Sequence, residues 1–247
     1  MVARTPKSLR AKLEKIYKSL FDFYGPQGWW PGDSPFEVAV GAILTQNTAW
    51  LNVEKAIGNL KSNKLLDPHK LYKTSFKRLA SLLTPSGYFN IKTKRLKCFL
   101  TYLIKRYDGD FHRMAESASG GFHSLREELL QVHGVGKETC DSILLYALNK
   151  PVFVVDAYTR RIFSRYGFFS EKATYDEIQD YFMKNLVSGL NGSNPNRGNP
   201  LVYLFNEYHA LIVRHGKTLC RKKPLCGECP LLNVGCQFGK RTLDVRH

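Results

Sequence analysis

The chain has 247 residues, 43% of them hydrophobic, and its 37 Lys and Arg residues outnumber 21 Asp and Glu residues to give a net charge of +16. It contains no apolar run of about 18 residues, and no apolar segment follows the basic N-terminus, which argues against a membrane-spanning or secreted protein. We therefore expect a soluble, intracellular, globular protein whose positive charge favours a polyanionic partner such as nucleic acid.

The periodic segments have the spacing of helices. Apolar residues recur three and four positions apart in the first segment and again near residue 100. These residues are Leu9, Leu13, Ile16, Tyr17, Leu20, Leu96, Phe99, Leu100 and Leu103. Three further helices are predicted to begin at capping boxes, in which a hydroxyl side chain is followed three residues later by a carboxylate. The pairs are Ser34 with Glu37, Ser124 with Glu127, and Thr174 with Glu177.

The remaining segments do not indicate a sheet. Val152–Val155 resembles a strand, but one short apolar run has no partner strand, so we interpret it as a buried extended connector. The stretch Asn191–Asn199 is rich in Asn, Gly, Ser and Pro and is predicted to be a loop. A helix from about Leu201 to His215 should follow it, and Gly216 should end that helix. The sequence therefore predicts an all-α fold.

A helical hairpin is the most informative pattern. A helix over Leu125–Val132 is predicted to meet a turn at His133–Gly136, after which a second helix begins at Lys137. Gly134 and Gly136 permit a tight reversal that brings backbone amides to the surface at a helix N-terminus, where partial positive charge attracts anions. The hairpin suits a phosphate of a nucleic-acid backbone, although a turn that only joins two helices has the same pattern.

A carboxylate follows the apolar connector. Val152–Val155 leads directly to Asp156, at the start of a helix predicted over Ala157–Tyr166. This position suits a helix N-cap, whose side-chain oxygen accepts a backbone N–H. Because a capping carboxylate is also a fixed one, Asp156 is compatible with a catalytic role as well.

Four cysteines crowd into residues 220–236, separated by five, two and six residues: Cys220, Cys226, Cys229 and Cys236. In an intracellular chain such a cluster indicates a metal site rather than disulfides, and four thiolates can hold either zinc or an iron–sulfur cluster. Cys98 and Cys140 lie singly in helical patterns and are expected to be small core residues.

Together these features resemble a known family. The order of the Gly134–Gly136 turn, Val154–Asp156 and the four cysteines is similar to endonuclease III and its relatives, the helix-hairpin-helix DNA glycosylases. The resemblance covers almost the whole chain. Further motifs are similar to the 3-methyladenine DNA glycosylase III branch, namely Trp29–Pro31, Leu44–Thr48, the pair Ser86 and Gly87, Asn90 and Lys92.

The resemblance implies a base excision repair enzyme that flips a damaged nucleotide out of double-stranded DNA. Asp156 would stabilise positive charge developing on the sugar and position or activate a water molecule. Trp29, Trp30 and Trp50 would form the base pocket, since indole faces attract a cationic purine such as 3-methyladenine. The alternative interpretation of these tryptophans is that they are core residues.

The same resemblance implies the DNA contacts and the cofactor. Either Gln46 or Asn47 could fill the gap left in the duplex, with a loop or capping role as the alternative. The other implied DNA-binding residues are those of the hairpin, Gly134, Gly136, Lys137 and Thr139. A [4Fe–4S] cluster, in preference to zinc, is implied for the four cysteines, and its basic loop would contact DNA.

Glu138 decides the expected reaction type. In endonuclease III enzymes that also cut the backbone, a lysine at this position attacks the sugar, and a carboxylate cannot form that imine. We therefore expect a monofunctional glycosylase for alkylated bases without efficient lyase activity. Two alternatives remain: a glycosylase for oxidised pyrimidines or mismatched thymine, and a non-catalytic DNA-binding module.

The expected organisation is two helical lobes with the active cleft between them. One lobe would comprise residues 35–150 and contain the hairpin, and the other would combine residues 1–34 with residues 151–247 and contain the cysteine loop. We expect a monomer with no membrane partner, located in the cytoplasm with the nucleoid or elsewhere in the cell with DNA.

Overall fold

The structure is a computed structural model that describes residues 6–29, 32–186 and 199–244. Within these ranges it contains no β-strand, so the all-α prediction is confirmed. A π-helix over Ile143–Ala147 continues one of the α-helices, and none of the described helices is long and apolar enough to cross a membrane. The α-helices are α1 Pro6–Tyr24, α2 Pro35–Leu44, α3 Trp50–Ser62, α4 Pro68–Lys73, α5 Phe76–Leu82, α6 Phe89–Tyr107, α7 Phe111–Glu116, α8 His123–Leu130, α9 Lys137–Ser142, α10 Ala157–Tyr166, α11 Tyr175–Leu186, α12 Pro200–Thr218 and α13 Gln237–Asp244.

The chain divides into two compact units. One unit is Trp30–Lys150, and the other combines Met1–Trp29 with Pro151–His247. The first contains α2 to α9 with the π-helix, and the second contains α1 and α10 to α13.

The first unit is built around α2. Its residues from Phe36 to Leu44 are all buried, because the sequence is apolar on nearly every side of the helix. Helix α2 packs against α3, α6, α9 and the π-helix. From α6 the predicted apolar face is fully buried, comprising Leu96, Phe99, Leu100 and Leu103.

The second unit has α12 at its centre, packed against α1 and α10. Its core is rich in aromatic residues: Phe153 stacks on Phe182 with ring centroids 4.1 Å apart. The buried Tyr208 hydroxyl of α12 donates a hydrogen bond to the Leu13 carbonyl of α1 at 2.8 Å. The apolar face predicted for α1 is buried at Leu13, Ile16 and Leu20.

Of the three predicted capping boxes, one forms completely, one forms in part and one is wrong. Thr174 and Glu177 form both reciprocal bonds, with Thr174 N–H donating to Glu177 Oε2 at 2.6 Å and Glu177 N–H donating to Thr174 Oγ1 at 3.3 Å. Ser34 accepts from Glu37 N–H as predicted, but the Glu37 carboxylate accepts from the preceding residue, Asp33. The box at Ser124 does not form, because α8 begins at His123, two residues before the predicted start at Leu125, and its N-cap makes no side-chain hydrogen bond.

The prediction that Gly216 ends the last long helix is also wrong, since α12 continues to Thr218. Gly216 lies where α12 packs against α10, and a Cβ atom at this position would be only 2.4 Å from Tyr158 Cδ1. The glycine therefore permits close packing of two helices rather than a turn. Apart from Asn199, whose side chain caps α12, the predicted loop Asn191–Asn199 lies outside the described residues.

Candidate functional site

Asp156 is the N-cap of α10, as predicted. The buried connector Val152–Val155 ends at this residue, and one carboxylate oxygen, Oδ1, accepts hydrogen bonds from the Thr159 N–H at 2.7 Å and the Thr159 hydroxyl at 2.9 Å. The Asp156 side chain is 10% exposed. These bonds fix the carboxylate in one orientation and leave its second oxygen, Oδ2, available for another partner.

That second oxygen faces a buried histidine. His209 of α12 places Nε2 at 3.7 Å from Asp156 Oδ2. Burial lowers the pKa of His209, and the nearby Asp156 opposes this shift. The imidazole is thus neutral near pH 7, and a neutral imidazole beside a carboxylate can exchange a proton with a water molecule. The sequence alone assigned His209 no role. A polar residue on the buried face of a helix can nevertheless indicate a functional site.

The two tryptophans that the structure describes are half-buried rather than core residues. The Lys217 ammonium lies 5.9 Å from the centroid of the Trp29 ring. Trp50 is the first residue of α3, and its indole N–H donates to Glu54 Oε1 at 2.7 Å, which fixes the ring relative to the helix. Trp30, the third predicted pocket residue, lies outside the described residues.

The turn between α2 and α3 presents an exposed asparagine. Asn47 is exposed and adopts a left-handed backbone conformation with φ of 54°. An asparagine tolerates this conformation better than most residues, but the surrounding structure must still hold it. The surrounding structure therefore defines the backbone of Asn47, and its side chain lies on the surface.

A buried lysine holds the ends of this turn. Lys92 is 1% exposed, and its ammonium donates to the Leu44 carbonyl at 2.7 Å, to the Ser86 carbonyl at 2.6 Å and to the Thr48 hydroxyl. Burial, and secondarily the charge of Arg95, lowers the pKa of Lys92 to about 8. The lysine is therefore still largely protonated at neutral pH, with all three donors used.

Gly134 in the hairpin turn has a φ of 89°, which favours glycine, and a Cβ atom there would be 2.1 Å from Arg95 Cγ. Gln46 reaches this turn: its Nε2 donates to the Gly134 carbonyl at 2.9 Å and to the Thr139 hydroxyl at 2.8 Å, while Oε1 accepts from Arg95. Thr139 is buried, so its hydroxyl is committed to this contact.

The hairpin helices are joined by a buried ion pair. The Arg126 guanidinium of α8 donates to both carboxylate oxygens of Asp141 in α9, at 2.7 and 3.0 Å. Helix α9 begins at Lys137, as predicted, after Gly136, which has open space around it. The first hairpin helix lies two residues earlier than predicted, at His123–Leu130.

All four C-terminal cysteines line one cavity of the second unit, together with His215 and Leu231. Within the described ranges, no three His, Cys, Asp or Glu side chains surround a single metal-ion position. A [4Fe–4S] cluster binds each thiolate to a different iron and so spaces its ligands more widely than zinc does. Four thiol side chains on one cavity could hold such a cluster. Cys140 is buried as predicted, whereas Cys98 is only half-buried.

Nitrogen atoms of two side chains already face two of these sulfur atoms. An Arg165 N–H lies 3.5 Å from Cys220 Sγ, and the His215 ring nitrogen Nε2 lies 3.6 Å from Cys229 Sγ. Burial raises the pKa of the Cys229 thiol to about 11, so metal binding must displace a proton from it.

Two arginines of α10 bind the backbone at the start of the cysteine loop. Arg161 donates to the carbonyls of Gly216 and Cys220, both at 2.8 Å. Arg165 donates to the carbonyls of Arg221 at 2.7 Å and Lys222 at 3.0 Å. The same helix thus carries Asp156 at its N-terminus and anchors the basic loop near its C-terminus.

The sequence pattern of the HhH-GPD superfamily of base excision DNA repair proteins matches residues 40–187, which is more than half of the chain. The chain belongs to this superfamily. The family expected from the sequence is confirmed, and the HhH-GPD chain is accordingly a DNA glycosylase of the endonuclease III-like type that acts in base excision repair.

Three similar proteins span most of the HhH-GPD chain. It is 50% identical over 217 residues to a Methanocaldococcus jannaschii protein provisionally named a DNA repair glycosylase, covering 88% of this chain and 92% of that protein. It is 31% identical over 212 residues to endonuclease III of Thermotoga maritima, covering 84% of each. The crystal structure of Helicobacter pylori 3-methyladenine DNA glycosylase bound to 1,N6-ethenoadenine matches with a TM-score of 0.71 and 33% identity, covering 83% of this chain and 97% of that one.

Proposed function

We propose that this HhH-GPD protein is a monofunctional DNA glycosylase that removes alkylated purines such as 3-methyladenine. The observation that carries the proposal is the fixed Asp156 carboxylate, with one oxygen held by Thr159 and the other facing His209. Loss of a purine builds positive charge on the sugar, and a preorganised carboxylate stabilises that charge. His209, beside the carboxylate, accepts a proton from the attacking water.

The proposed base specificity rests on aromatic side chains. Trp29 and Trp50 are half-buried, so each retains accessible ring surface on which a base can stack. A methylated purine carries a delocalised positive charge, for which an indole face supplies about 0.5 to 2 kcal/mol of attraction. Trp30 is proposed as a further pocket residue from its sequence position alone. The 33% identity to the Helicobacter pylori 3-methyladenine glycosylase supports this choice of base.

The proposed absence of a lyase step rests on Glu138. It is the second residue of α9, exposed, at the position where the resemblance places a nucleophilic lysine. Lys137 is adjacent but points about 100° away around the helix. Without an amine at this position no imine with the opened sugar forms, and the abasic strand stays intact.

The proposed DNA contacts are centred on the hairpin. Gly136 leaves open space above the first amides of α9, and Lys137 is exposed beside them, so this turn suits a backbone phosphate of double-stranded DNA. Asn47 is the proposed residue that enters the duplex where the nucleotide leaves it. Because Gln46 and Thr139 are hydrogen-bonded to each other, a DNA contact by either side chain requires breaking that bond. We further propose that the protein acts as a monomer.

We propose that Cys220, Cys226, Cys229 and Cys236 hold a [4Fe–4S] cluster. Four thiols around one cavity support a metal centre there, and the similarity to endonuclease III favours the cluster over zinc. The bound cluster supplies folding free energy to the tail rather than chemistry at the sugar. Arg165 provides an N–H group toward Cys220 Sγ, and His215 places a ring nitrogen beside Cys229 Sγ. The loop presents Arg221, Lys222 and Lys223 to the DNA backbone.

The deciding experiment measures release of free 3-methyladenine and 7-methylguanine from methylated duplex DNA, with an oligonucleotide containing thymine glycol in parallel. We expect methylated purines to be released without strand cleavage, and Asp156→Asn to abolish release. Processing of thymine glycol alone would support the alternative of an oxidised-pyrimidine glycosylase. Binding of DNA without release of any base would support a non-catalytic module.

A further inference from the structure

One side chain connects the turn that carries Asn47 to the helical hairpin. Gln46 Nε2 donates to the Gly134 carbonyl at 2.9 Å and to Thr139 Oγ1 at 2.8 Å, and Gln46 Oε1 accepts from Arg95. Both ends of the half-buried amide are thereby engaged. Withdrawing this side chain would take a hydrogen-bond partner from the buried Thr139 hydroxyl and from the half-buried Gly134 and Arg95, which opposes its release.

The hairpin does not depend on this contact for its own shape. Within the hairpin, Val135 N–H donates to the Val132 carbonyl at 2.9 Å, and Cys140 N–H donates to the Gly136 carbonyl at 2.8 Å. The bidentate pair of Arg126 with the fully buried Asp141 joins α8 to α9 independently of Gln46. Loss of the Gln46 amide would therefore leave the hairpin formed and release only the middle of the turn.

The turn is anchored on its other side as well. Lys92 holds Leu44 at the start of the turn and Thr48 near its end, and Thr48 also donates to the Ser86 carbonyl at 2.6 Å. Gln46 holds the middle of the turn, directly before Asn47. A left-handed asparagine persists only where its surroundings define its backbone, and these two anchors provide that definition.

We infer that Gln46 is a positioning residue, which fixes Asn47 and Trp50 relative to the hairpin that binds the DNA backbone. This inference rests on the proposed function, in which the hairpin holds a phosphate while Asn47 and Trp50 act at the extruded nucleotide. Because Gln46 joins the turn to the hairpin, a phosphate bound at the hairpin also fixes the point at which Asn47 contacts the duplex. Gln46 thus controls extrusion of the base after binding, and affinity for undamaged DNA is set by the hairpin.

The test measures binding and the later steps separately. The variants are Gln46→Ala, Thr139→Val, their combination, and the conservative Thr139→Ser. For each, fluorescence anisotropy gives the Kd for an undamaged duplex, and single-turnover assays give the rate of 3-methyladenine release from methylated duplex. We expect Kd to change less than about twofold, while misplacement of the turn slows release about tenfold to hundredfold in Gln46→Ala. Thr139→Val slows release in the same direction, and Thr139→Ser retains the wild-type rate.

The double variant provides the sharpest outcome. Because Gln46→Ala already removes the bond to Thr139, adding Thr139→Val should slow release no further. Asn59→Ala is the matched control, since Asn59 is also half-buried and donates its amide to a backbone carbonyl, that of Leu82, at 2.9 Å. It should lose stability comparably and keep the wild-type release rate.

Three results would overturn the inference. These are a wild-type release rate in Gln46→Ala, additive losses in the double variant, or a loss of affinity for undamaged duplex as large as the loss of rate, which would make Gln46 a direct DNA contact. Failure of the proposed function is distinguishable, because the wild-type protein would then release no methylated base. In that case 2-aminopurine in a duplex, which brightens on leaving the stack, still reports extrusion, and Gln46→Ala should brighten it less than wild type.

Discussion

Gly216→Ala should lower both the free energy of unfolding of the protein and the rate of base release. A Cβ atom at this position would lie 2.4 Å from Tyr158 Cδ1 and 2.9 Å from Tyr158 Cβ. Carbon atoms normally approach to about 3.5–4.0 Å, so the neighbouring side chain has to move by about 1 Å. Rotating the ring does not relieve the contact with Tyr158 Cβ, because that atom is fixed to the backbone of α10. The helices themselves must separate.

The size of the effect follows from two opposing contributions. Overpacking costs about 1–3 kcal/mol, here near the upper end at about 2–3 kcal/mol because a helix has to move, and replacing glycine by alanine inside a helix returns about 1 kcal/mol. The net loss in the free energy of unfolding is therefore about 1–2 kcal/mol, which lowers Tm by about 2–8 °C for a chain of this size.

The chemistry should be affected because α10 and α12 carry the candidate catalytic groups. Asp156 caps α10 two residues before Tyr158, and His209 lies on α12, so separating the helices changes the 3.7 Å distance between their side chains. A displacement of about 1 Å in such a pair costs up to about hundredfold in rate. Single-turnover base release and thermal unfolding of the same preparation measure both effects.

Gly58→Ala is the matched control. Gly58 lies inside α3, and no atom would lie within 4 Å of an added Cβ. This variant should gain about 0.5–1 kcal/mol of stability from helix propensity and retain the wild-type rate. The reasoning is refuted if Gly216→Ala is as stable as wild type, or if the two glycine variants behave alike.

Three further outcomes are expected. Asp156→Asn retains a side chain that can cap α10, so Tm should change little while single-turnover release falls by more than about hundredfold, and a wild-type rate would remove Asp156 from the chemistry. The pKa of Lys92 is about 8 in the folded protein against 10.5 ordinarily, so the unfolded chain binds more protons between these pH values. Wild-type stability should accordingly rise relative to Lys92→Met from pH 8 to pH 10 in urea titrations, and a difference that stays constant over this range would contradict the buried ammonium. Arg126→Met leaves the fully buried Asp141 without its guanidinium and should cost about 3–5 kcal/mol by urea unfolding. Arg126→Met combined with Asp141→Leu should recover most of that loss, and a double variant as unstable as the single one would argue against the ion pair as the cause.

Features that depend on neighbouring residues in the sequence could be predicted. The N-cap at Asp156, the helix Ala157–Tyr166 and the complete capping box at Thr174 follow from local hydrogen bonds, which the sequence order specifies. The box at Ser124 failed for a local reason too, because α8 begins one residue before the predicted cap.

Contacts between distant segments could not be predicted. Nothing in the spacing of Gln46, Gly134 and Thr139 indicates that one amide joins all three, since periodicity identifies a buried face and not its partner. The same holds for His209, which lies beside Asp156 only because α10 packs on α12. Gly216 was misinterpreted because a glycine near a helix end suggests a stop, whereas here it accommodates Tyr158.

The arginine contacts of α10 link damage in the cysteine loop to loss of activity. Arg161 and Arg165 connect the cysteine loop to a helix of ten residues, about 15 Å long, whose other end holds Asp156, the proposed catalytic carboxylate. A copy whose cysteine loop has been oxidised or never assembled should thus lose the placement of Asp156 at the same time. Damage to the loop would then yield an inactive protein. It would not yield a protein that still removes bases but binds DNA with low affinity. For an enzyme whose product is itself a lesion, an inert damaged copy is the safer outcome for the genome.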